Sequence, residues 1–117
     1  MEAEIRISSD DEITEFAALR EWLRGERALT GMVKAVRKPP ARTELGGALD
    51  LLAVALGSGG AGVTLAKSLV IWLRTRRPDV TVTVTTPSGT VTLKAKQVRD
   101  GDVMPLLEAV LKVRDEP

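Results

Sequence analysis

Residues 45–77 read LGGALDLLAVALGSGGAGVTLAKSLVIWLRTRR, and this apolar stretch decides how the rest of the chain is arranged. Its first part, from Leu45 to Leu56, is rich in leucine and alanine, which favour helices. A glycine cluster follows at 57–62. Residues 63–77 have apolar positions at helical spacing and end in arginines, which the helix dipole favours at a C-terminus. We therefore predict a glycine-hinged apolar helical hairpin over about 45–77.

The segment upstream of this stretch predicts a strand, a helix and a second strand. Residues 3–7 alternate apolar and polar side chains, as a half-buried strand does. The residues 9–12, Ser-Asp-Asp-Glu, form a capping-box pattern that opens a helix, and Gly25 is a suitable stop. Residues 32–37 predict the second strand, which Pro39 and Pro40 end because proline cannot donate to a ladder.

The segment downstream predicts a β-hairpin and a last helix. Valine and threonine alternate over residues 80–85, a Pro-Ser-Gly turn follows at 87–89, and a return strand reaches Ala95. We thus predict a β-hairpin over about 79–96. Apolar residues from Val103 to Leu111 recur at i, i+3 and i+4, which is typical of an amphipathic helix.

Together these elements predict a single α+β domain over residues 1–117. The element order is βαβ-αα-ββ-α, which gives a four-stranded mixed sheet with helices mainly on one face. The first two strands are expected to be parallel and joined by a right-handed crossover. The Val/Thr hairpin is expected to extend that sheet, and to pair with an extended segment of another protein if it lies at the sheet edge. An ordinary solvated sheet face is the alternative.

Composition narrows the function classes. The 17 basic and 16 acidic residues leave a net charge of +1, which gives no electrostatic reason to expect nucleic acid as a partner. The sequence contains no histidine, which is the usual general base and a common metal ligand. It also contains no cysteine, which would supply a thiolate nucleophile or a soft metal ligand. We predict no enzyme, no catalytic residues, no cofactor and no metal. The start, residues 1–4, lacks the pattern of a secretory signal, so a cytoplasmic protein is expected.

The glycine cluster fits the pattern G-x-G-x-x-G from Gly57 to Gly62 and precedes a helix. In a dinucleotide site such glycines let the backbone approach a pyrophosphate, and an acidic residue ends the next strand. Here the next strand ends in Thr85 and Thr86. We therefore interpret the cluster as an interhelical turn, with a nucleotide- or ligand-sensing module as an alternative.

Two charges interrupt the apolar stretch. Asp50 and Lys67 lie at similar distances from the glycine turn, so in a helical hairpin they would face each other as a charge pair. Two ordinary solvent-facing charges are the alternative. Because such charges are costly inside a bilayer and the uninterrupted run is short, membrane contact is not favoured. A hairpin that inserts or forms a pore after activation remains the alternative function.

The second predicted helix is apolar on all sides, which requires either a central place in the core or a partner. Ser58, Gly62 and Ala66 recur every four residues and would form a groove for close helix packing. We predict that the hairpin is both core and the interface of a homo-oligomer, with pure core as the alternative. The predicted interface residues are Leu51, Val54, Ala55, Gly62, Ala66, Leu69, Val70 and Trp72.

The same residues carry a resemblance to a known family. The chain resembles the effector-associated constant component family of bacterial conflict systems in four segments. They are the run from Leu45 to Ala61, the run from Val70 to Arg77 that leads into the Val/Thr hairpin, residues 19–24 and the proline pair 39–40. The resemblance implies a small adaptor encoded beside effectors such as caspase-like or trypsin-like peptidases, with a signalling NTPase-like partner, in immune, phage-defence or self-killing systems. It carries over no catalytic residues.

Overall fold

A computed structural model describes residues 2–38, 49–57, 61–101 and 103–111. Within these residues the chain forms five strands, four α-helices and one short 3-10 turn at Arg27–Leu29. The elements in chain order are β1 (Glu2–Ser8), α1 (Glu12–Arg24), β2 (Val33–Lys38), β3 (Leu49–Ala55), α2 (Ala61–Arg74), β4 (Thr81–Thr86), β5 (Gly89–Lys94), α3 (Ala95–Asp100) and α4 (Met104–Leu111). The α+β class predicted from the sequence is confirmed.

The sheet has the strand order β2-β3-β1-β4-β5, and every neighbouring pair is antiparallel. Because β3 is antiparallel to both β1 and β2, those two strands run in the same direction but are not neighbours. The same holds for β3 and β4, which β1 separates. Each βαβ unit is therefore split by a strand of the other unit, which is the ferredoxin-like arrangement, with β5 added at one edge. The first two strands are parallel, as predicted, but β3 lies between them, so every described pair in the sheet is antiparallel where a mixed sheet was predicted.

The largest correction concerns residues 49–55, which form the strand β3 and not the first helix of a hairpin. The glycine-hinged helical hairpin over 45–77 does not form, and the sheet has five strands where four were predicted. β3 lies between β2 and β1, and four consecutive residues, 51–54, are buried. A strand covered on both faces loses the alternation that marks a strand in sequence, so tertiary context overrode the helix preference of leucine and alanine.

Alternate residues of the strands face the helices and form the core. Ile5 of β1, Leu52 and Val54 of β3, and Val82 and Val84 of β4 are fully buried in one cluster with residues of α1, α2 and α4. The α-helices therefore cover one face of the sheet, as predicted. The opposite face carries polar side chains along β1, β4 and β5, with a ladder of threonines on β4 and β5. α2 contacts the three other α-helices and is the centre of the helical layer.

The predicted start and stop of α1 are confirmed, although a capping box over residues 9–12 would have its N-cap at Ser9. Asp11 is the N-cap, and its carboxylate accepts a hydrogen bond from the backbone N–H of Thr14 at 3.4 Å. Glu12 and Glu15 lie in the first turn, where the helix dipole favours negative charge. The N–H of Gly25 donates to the carbonyls of Glu21 and Trp22 and ends the helix.

The predicted β-hairpin is confirmed, although its second strand ends at Lys94 because Ala95 begins α3. The strands are joined by Pro87 and Ser88, and Thr86 pairs with Gly89. The ring of Pro87 fixes a negative φ, which excludes the mirror-image turns that hairpins usually prefer. Gly89, the residue after this turn, has a φ of 144°, a conformation that other residues rarely adopt.

Candidate functional site

The structure places most of the predicted interface residues inside the monomer. Leu51, Val54, Ala66 and Leu69 are fully buried, and Val70 and Trp72 are 6% and 3% exposed. A partner could reach these six side chains only if the domain opened. Ala55 is exposed and Gly62 is half-buried. Self-association through this set stays a prediction, but the residues now have a sufficient reason for being apolar, namely the chain's own packing.

Leu51 differs from the other buried members of that set. Its neighbour Leu52 points into the helical layer, so Leu51 points to the opposite face of the sheet. Leu51 is fully buried there, outside the main core cluster. Of the predicted groove of small residues, Ala66 is a core residue, Gly62 is half-buried and Ser58 lies outside the described residues, so the groove stays a prediction.

The predicted charge pair between Asp50 and Lys67 depended on the helical hairpin. Asp50 lies instead on β3, in register with Arg37 of β2, and Lys67 is exposed on α2. The side chain of Asp50 lies outside what the structure describes. The geometry that was expected to bring the two charges together is therefore absent from β3 and α2.

The glycine segment now follows a strand and precedes a helix, which is one requirement of a dinucleotide motif. However, the sheet is antiparallel throughout its described strands, whereas that motif works at the end of a parallel sheet. Residues 58–60, the centre of the cluster, lie outside the described residues. The ligand-sensing alternative stays a prediction.

The same correction affects the membrane alternative, since the inserting hairpin required two helices and the first is a strand. Among the described residues, no helix combines the length and hydrophobicity that crossing a bilayer demands. Acidic side chains in the described ranges also do not gather in groups of three or more that could hold a metal ion.

A network of polar side chains joins α1 to α2 and to the residues that follow it. The guanidinium of Arg76 donates two hydrogen bonds to the carboxylate of Glu15, from Nε at 2.7 Å and from Nη2 at 2.9 Å. The side chain of Glu15 is only 5% exposed, so this bidentate pair neutralises a buried charge. The hydrogen bonds to Glu15 raise the pKa of Arg76 above its ordinary value. Arg76 also lies over the ring of Trp72, 4.9 Å from its centroid, and its carbonyl accepts a hydrogen bond from Arg99.

A second connection joins the other end of α1 to α2. The indole Nε1 of Trp22 donates to the carbonyl of Ser68 at 3.1 Å, and the hydroxyl of Ser68 donates to Glu26 at 2.7 Å. Ser68 is 3% exposed, so its hydroxyl is committed to this contact. Lys67, the preceding residue of α2, is exposed and lies on another side of the helix.

Two apolar side chains stay exposed beside these contacts, one on α1 and one on α2. Trp22 is 40% exposed although its only polar atom is already bonded, and Ile71 on α2 is 50% exposed. Lys67 and Arg74 lie four residues before and three residues after Ile71, and both are exposed. We call Trp22, Ile71, Lys67 and Arg74 the α1–α2 surface. An exposed tryptophan and an exposed isoleucine with basic flanks have the chemistry of a protein-binding patch.

Sequence reasoning did not find the α1–α2 surface. Trp22 and Ile71 fit the apolar pattern of their helices and were indistinguishable from core residues. One signal was present: Leu23 and Leu19 already occupy the buried face of α1, and a tryptophan adjacent to that face is pushed to its margin. Only the packing of α1 on α2 shows which apolar side chains stay outside.

Three comparisons bear on the identity of the chain. No curated protein and no solved structure matches it. The model of one protein family, described as Effector Associated Constant Component 1, matches residues 8–111, which span α1 to α4 and the last residue of β1. The match covers nearly the whole chain and agrees with the resemblance found in the sequence. The chain therefore belongs to the Effector Associated Constant Component 1 family.

Proposed function

We propose that this chain is a non-enzymatic cytoplasmic adaptor of a bacterial conflict system, which binds a peptidase-type effector and associates with itself. Family membership supports an effector-associated role. The observation that carries the binding role is the α1–α2 surface, where Trp22 is held by its bond to Ser68 and is still 40% exposed. Because its indole N–H is satisfied, what Trp22 offers a partner is apolar ring surface at little entropic cost.

The charges around this surface indicate what kind of partner fits it. Lys67 and Arg74 flank Ile71 on the exposed side of α2. An effector segment that places an apolar side chain against Trp22 and Ile71, with acidic residues on either side, would match both the shape and the charge of the patch. We expect this segment to belong to the effector encoded with the adaptor, a caspase-like or trypsin-like peptidase.

Calorimetric titration of the purified chain with that effector tests the proposal. Ile71→Glu puts a carboxylate between Lys67 and Arg74, which is compatible with a folded helix but not with an apolar, acidic partner. Binding should weaken by about 30-fold, as the loss of a hot spot implies. Ile13→Glu is the matched control, since Ile13 is a helical isoleucine that is 86% exposed in the first turn of α1. Equal binding by the two variants would contradict the proposed docking surface.

Salt dependence gives a second test of the same surface. Lys67→Glu and Arg74→Glu should each slow association and reduce its sensitivity to ionic strength, because rim charges mainly steer encounter. Arg24→Glu, on the exposed side of α1, is a suitable control for the change in net charge. If all three variants change the association rate equally, net charge and not the α1–α2 surface controls binding.

A further inference from the structure

The two edges of the sheet differ in charge. Both β2 and β5 have one hydrogen-bonded neighbour among the described strands. β2, with the sequence VKAVRK, carries three basic residues, and charged side chains are a common device that blocks edge-to-edge pairing. β5, with the sequence GTVTLK, carries no charge until its last residue, Lys94. The sheet therefore has one protected edge and one edge without that protection.

The hydrogen-bond pattern shows which backbone groups β5 offers outward. The N–H of Ala95 donates to the carbonyl of Val80, so this pair is of the hydrogen-bonded type, and the types alternate along an antiparallel ladder. Val91 and Leu93 therefore bond to β4. The N–H and C=O groups of Thr90 and Thr92 and the N–H of Lys94 point away from the sheet, whereas the C=O of Lys94, the N-cap of α3, accepts the first hydrogen bond of that helix. The close contacts between threonine hydroxyls on β4 and β5, 3.2 and 3.4 Å, agree with the narrower spacing of the non-bonded pairs.

We propose that the β5 edge pairs with the β5 edge of a second copy of this chain, so that two sheets join into one. A two-fold axis at Thr92 places Thr92 opposite its own copy and Thr90 opposite Lys94. This register uses all three outward residues of each copy and forms about four hydrogen bonds between the strands, two between the Thr92 residues and one from each Lys94 N–H to a Thr90 carbonyl. A shift of the axis to Val91 or Leu93 would bring fewer of these residues together.

The side chains on β5 suit this register on both faces. On the helical face, Val91 of one copy lies opposite Leu93 of the other, so apolar meets apolar. On the open face, each Lys94 lies opposite a threonine, so no like charges oppose each other. β2 instead carries Lys34, which is exposed, so pairing through β2 would bring basic residues of two copies together. Charge thus selects β5 as the self-pairing edge.

The helical layer adds apolar surface beside the same edge. α4 packs against β4 and β5, and a two-fold axis perpendicular to the sheet brings both copies of α4 to the same side. Leu106 on α4 is 48% exposed. Strand pairing alone buries little area, so apolar side chains on α4 are what would extend the contact.

Charge variants at Thr92 test the pairing with full-length protein. Thr92 is exposed, so Thr92→Asp and Thr92→Lys are compatible with the monomer fold. Each variant alone places two like charges opposite each other, and sedimentation velocity should show a dimer weakened by about tenfold or more. An equimolar mixture should recover the dimer, because the carboxylate of one variant faces the ammonium of the other. Native mass spectrometry should then show the mixed pair and not the two self-pairs.

A proline variant tests the backbone bonds separately. Thr92→Pro removes an N–H that points outward, which leaves the bonds to β4 intact and should abolish the dimer. Ala35→Pro is the matched control: by the same alternation from the bond between Ala55 and Met32, its N–H also points outward, but on the β2 edge. The control should dimerise like the wild type.

The inference rests on the self-association part of the proposed function, and the outcomes separate the two. A wild-type dimer that survives all the Thr92 variants would overturn the β5 edge alone. A wild type that stays monomeric at high concentration would overturn both the edge and self-association. If the wild type is a monomer, and Thr92→Pro loses effector binding while Ile71→Glu keeps it, then the β5 edge binds the effector. That result would overturn a second copy as the partner of this edge.

Discussion

Residues 49–55 and 61–74 are similar in composition, since both are rich in leucine, alanine and valine, yet the first is a strand and the second a helix. β3 is held by backbone hydrogen bonds to β2 and β1 on its two sides. α2 makes its backbone bonds within itself and is held by side chains. Its apolar face packs on the core, Trp22 of α1 bonds to Ser68, and Glu15 of α1 bonds to Arg76 just after the helix ends. The number of neighbouring strands available for hydrogen bonding, and not the apolar content, therefore decided which structure each run adopted.

The difference in length between the two runs supports this account. β3 has seven residues and lies between strands that supply partners, whereas α2 has fourteen, enough for about four turns. A run of seven residues, six of them leucine, alanine or valine, gains little as an isolated helix because nucleation is costly. In the sheet the same run pairs with β2 along residues 49–54 and with β1 along residues 52–55, and it buries four consecutive side chains.

The largest effect is expected from a charge placed in β3. Leu52→Lys puts an unpaired charge into the core and should cost more than about 4 kcal/mol, enough to unfold a domain of ordinary stability. Ala55→Lys is the control, because Ala55 is exposed and lies opposite Glu2. Urea denaturation followed by circular dichroism measures both. In a helix, positions 52 and 55 share a face, so similar losses in the two variants would break the comparison.

An intermediate effect is expected from the ion pair that fixes the end of α2. Glu15→Gln removes the charge from a nearly buried carboxylate and leaves Arg76 without its counterion, which should cost about 2 kcal/mol of unfolding free energy. The partial exposure of Arg76 keeps the loss below that of a fully buried pair. Glu12→Gln, at an exposed position in the same helical turn, should change stability by less than about 0.5 kcal/mol. Equal values for the two variants would show that α2 does not depend on this contact.

A smaller effect is expected at the other connection between α1 and α2. Ser68→Ala removes the hydroxyl that donates to Glu26, but it also improves helix propensity at a buried position. The net loss should be about 0.5–1 kcal/mol. Thermal unfolding should compare this variant with Thr64→Ala, which also replaces a hydroxyl residue by alanine on α2. The difference between the two separates the loss of the hydrogen bond from the gain in helix propensity. A stabilised Ser68→Ala would mean that the hydroxyl contributes nothing to holding α2.

The smallest effect concerns the loop that follows α2 and depends on pH. The carboxylate of Asp79 accepts a hydrogen bond from the backbone N–H of Asp10 at 2.9 Å, and this bond lowers the pKa of Asp79 below its ordinary value of 3.8. Since the folded-state pKa is the lower one, the contribution to stability is present above pH 3.8 and is lost as the pH falls through the lowered pKa. Asp79→Asn should therefore destabilise the protein at neutral pH and lose less stability on acidification.

Chemical denaturation at several pH values below and above 4 checks the sign of this effect. Glu108→Gln, at an exposed site on α4, is the control for removing a carboxylate. If Asp79→Asn and the wild type lose stability in parallel on acidification, the bond to Asp10 does not tie the end of α2 to the start of α1.

Elements whose signals are local were predictable from sequence. These signals are the alternation in β1, the start of α1 within residues 9–12 and its stop at Gly25, the Pro-Ser-Gly turn between β4 and β5, and the apolar spacing of α4. Each depends on residues within a few positions of one another. Such rules act over one helical turn or one hairpin, so they need no knowledge of the rest of the chain. The helix α2 was found for the same reason.

The tertiary structure alone decided the strand β3, the split order of the sheet and the candidate surfaces. β3 is a strand because β2 and β1, from distant parts of the chain, supply hydrogen bonds on both sides, and no pattern within residues 49–55 records that. The pairing of Glu15 with Arg76 and the exposure of Trp22 likewise depend on how α1 lies on α2. Local sequence sets which conformations a segment can adopt, whereas the choice among them belongs to partners that only the folded chain brings together.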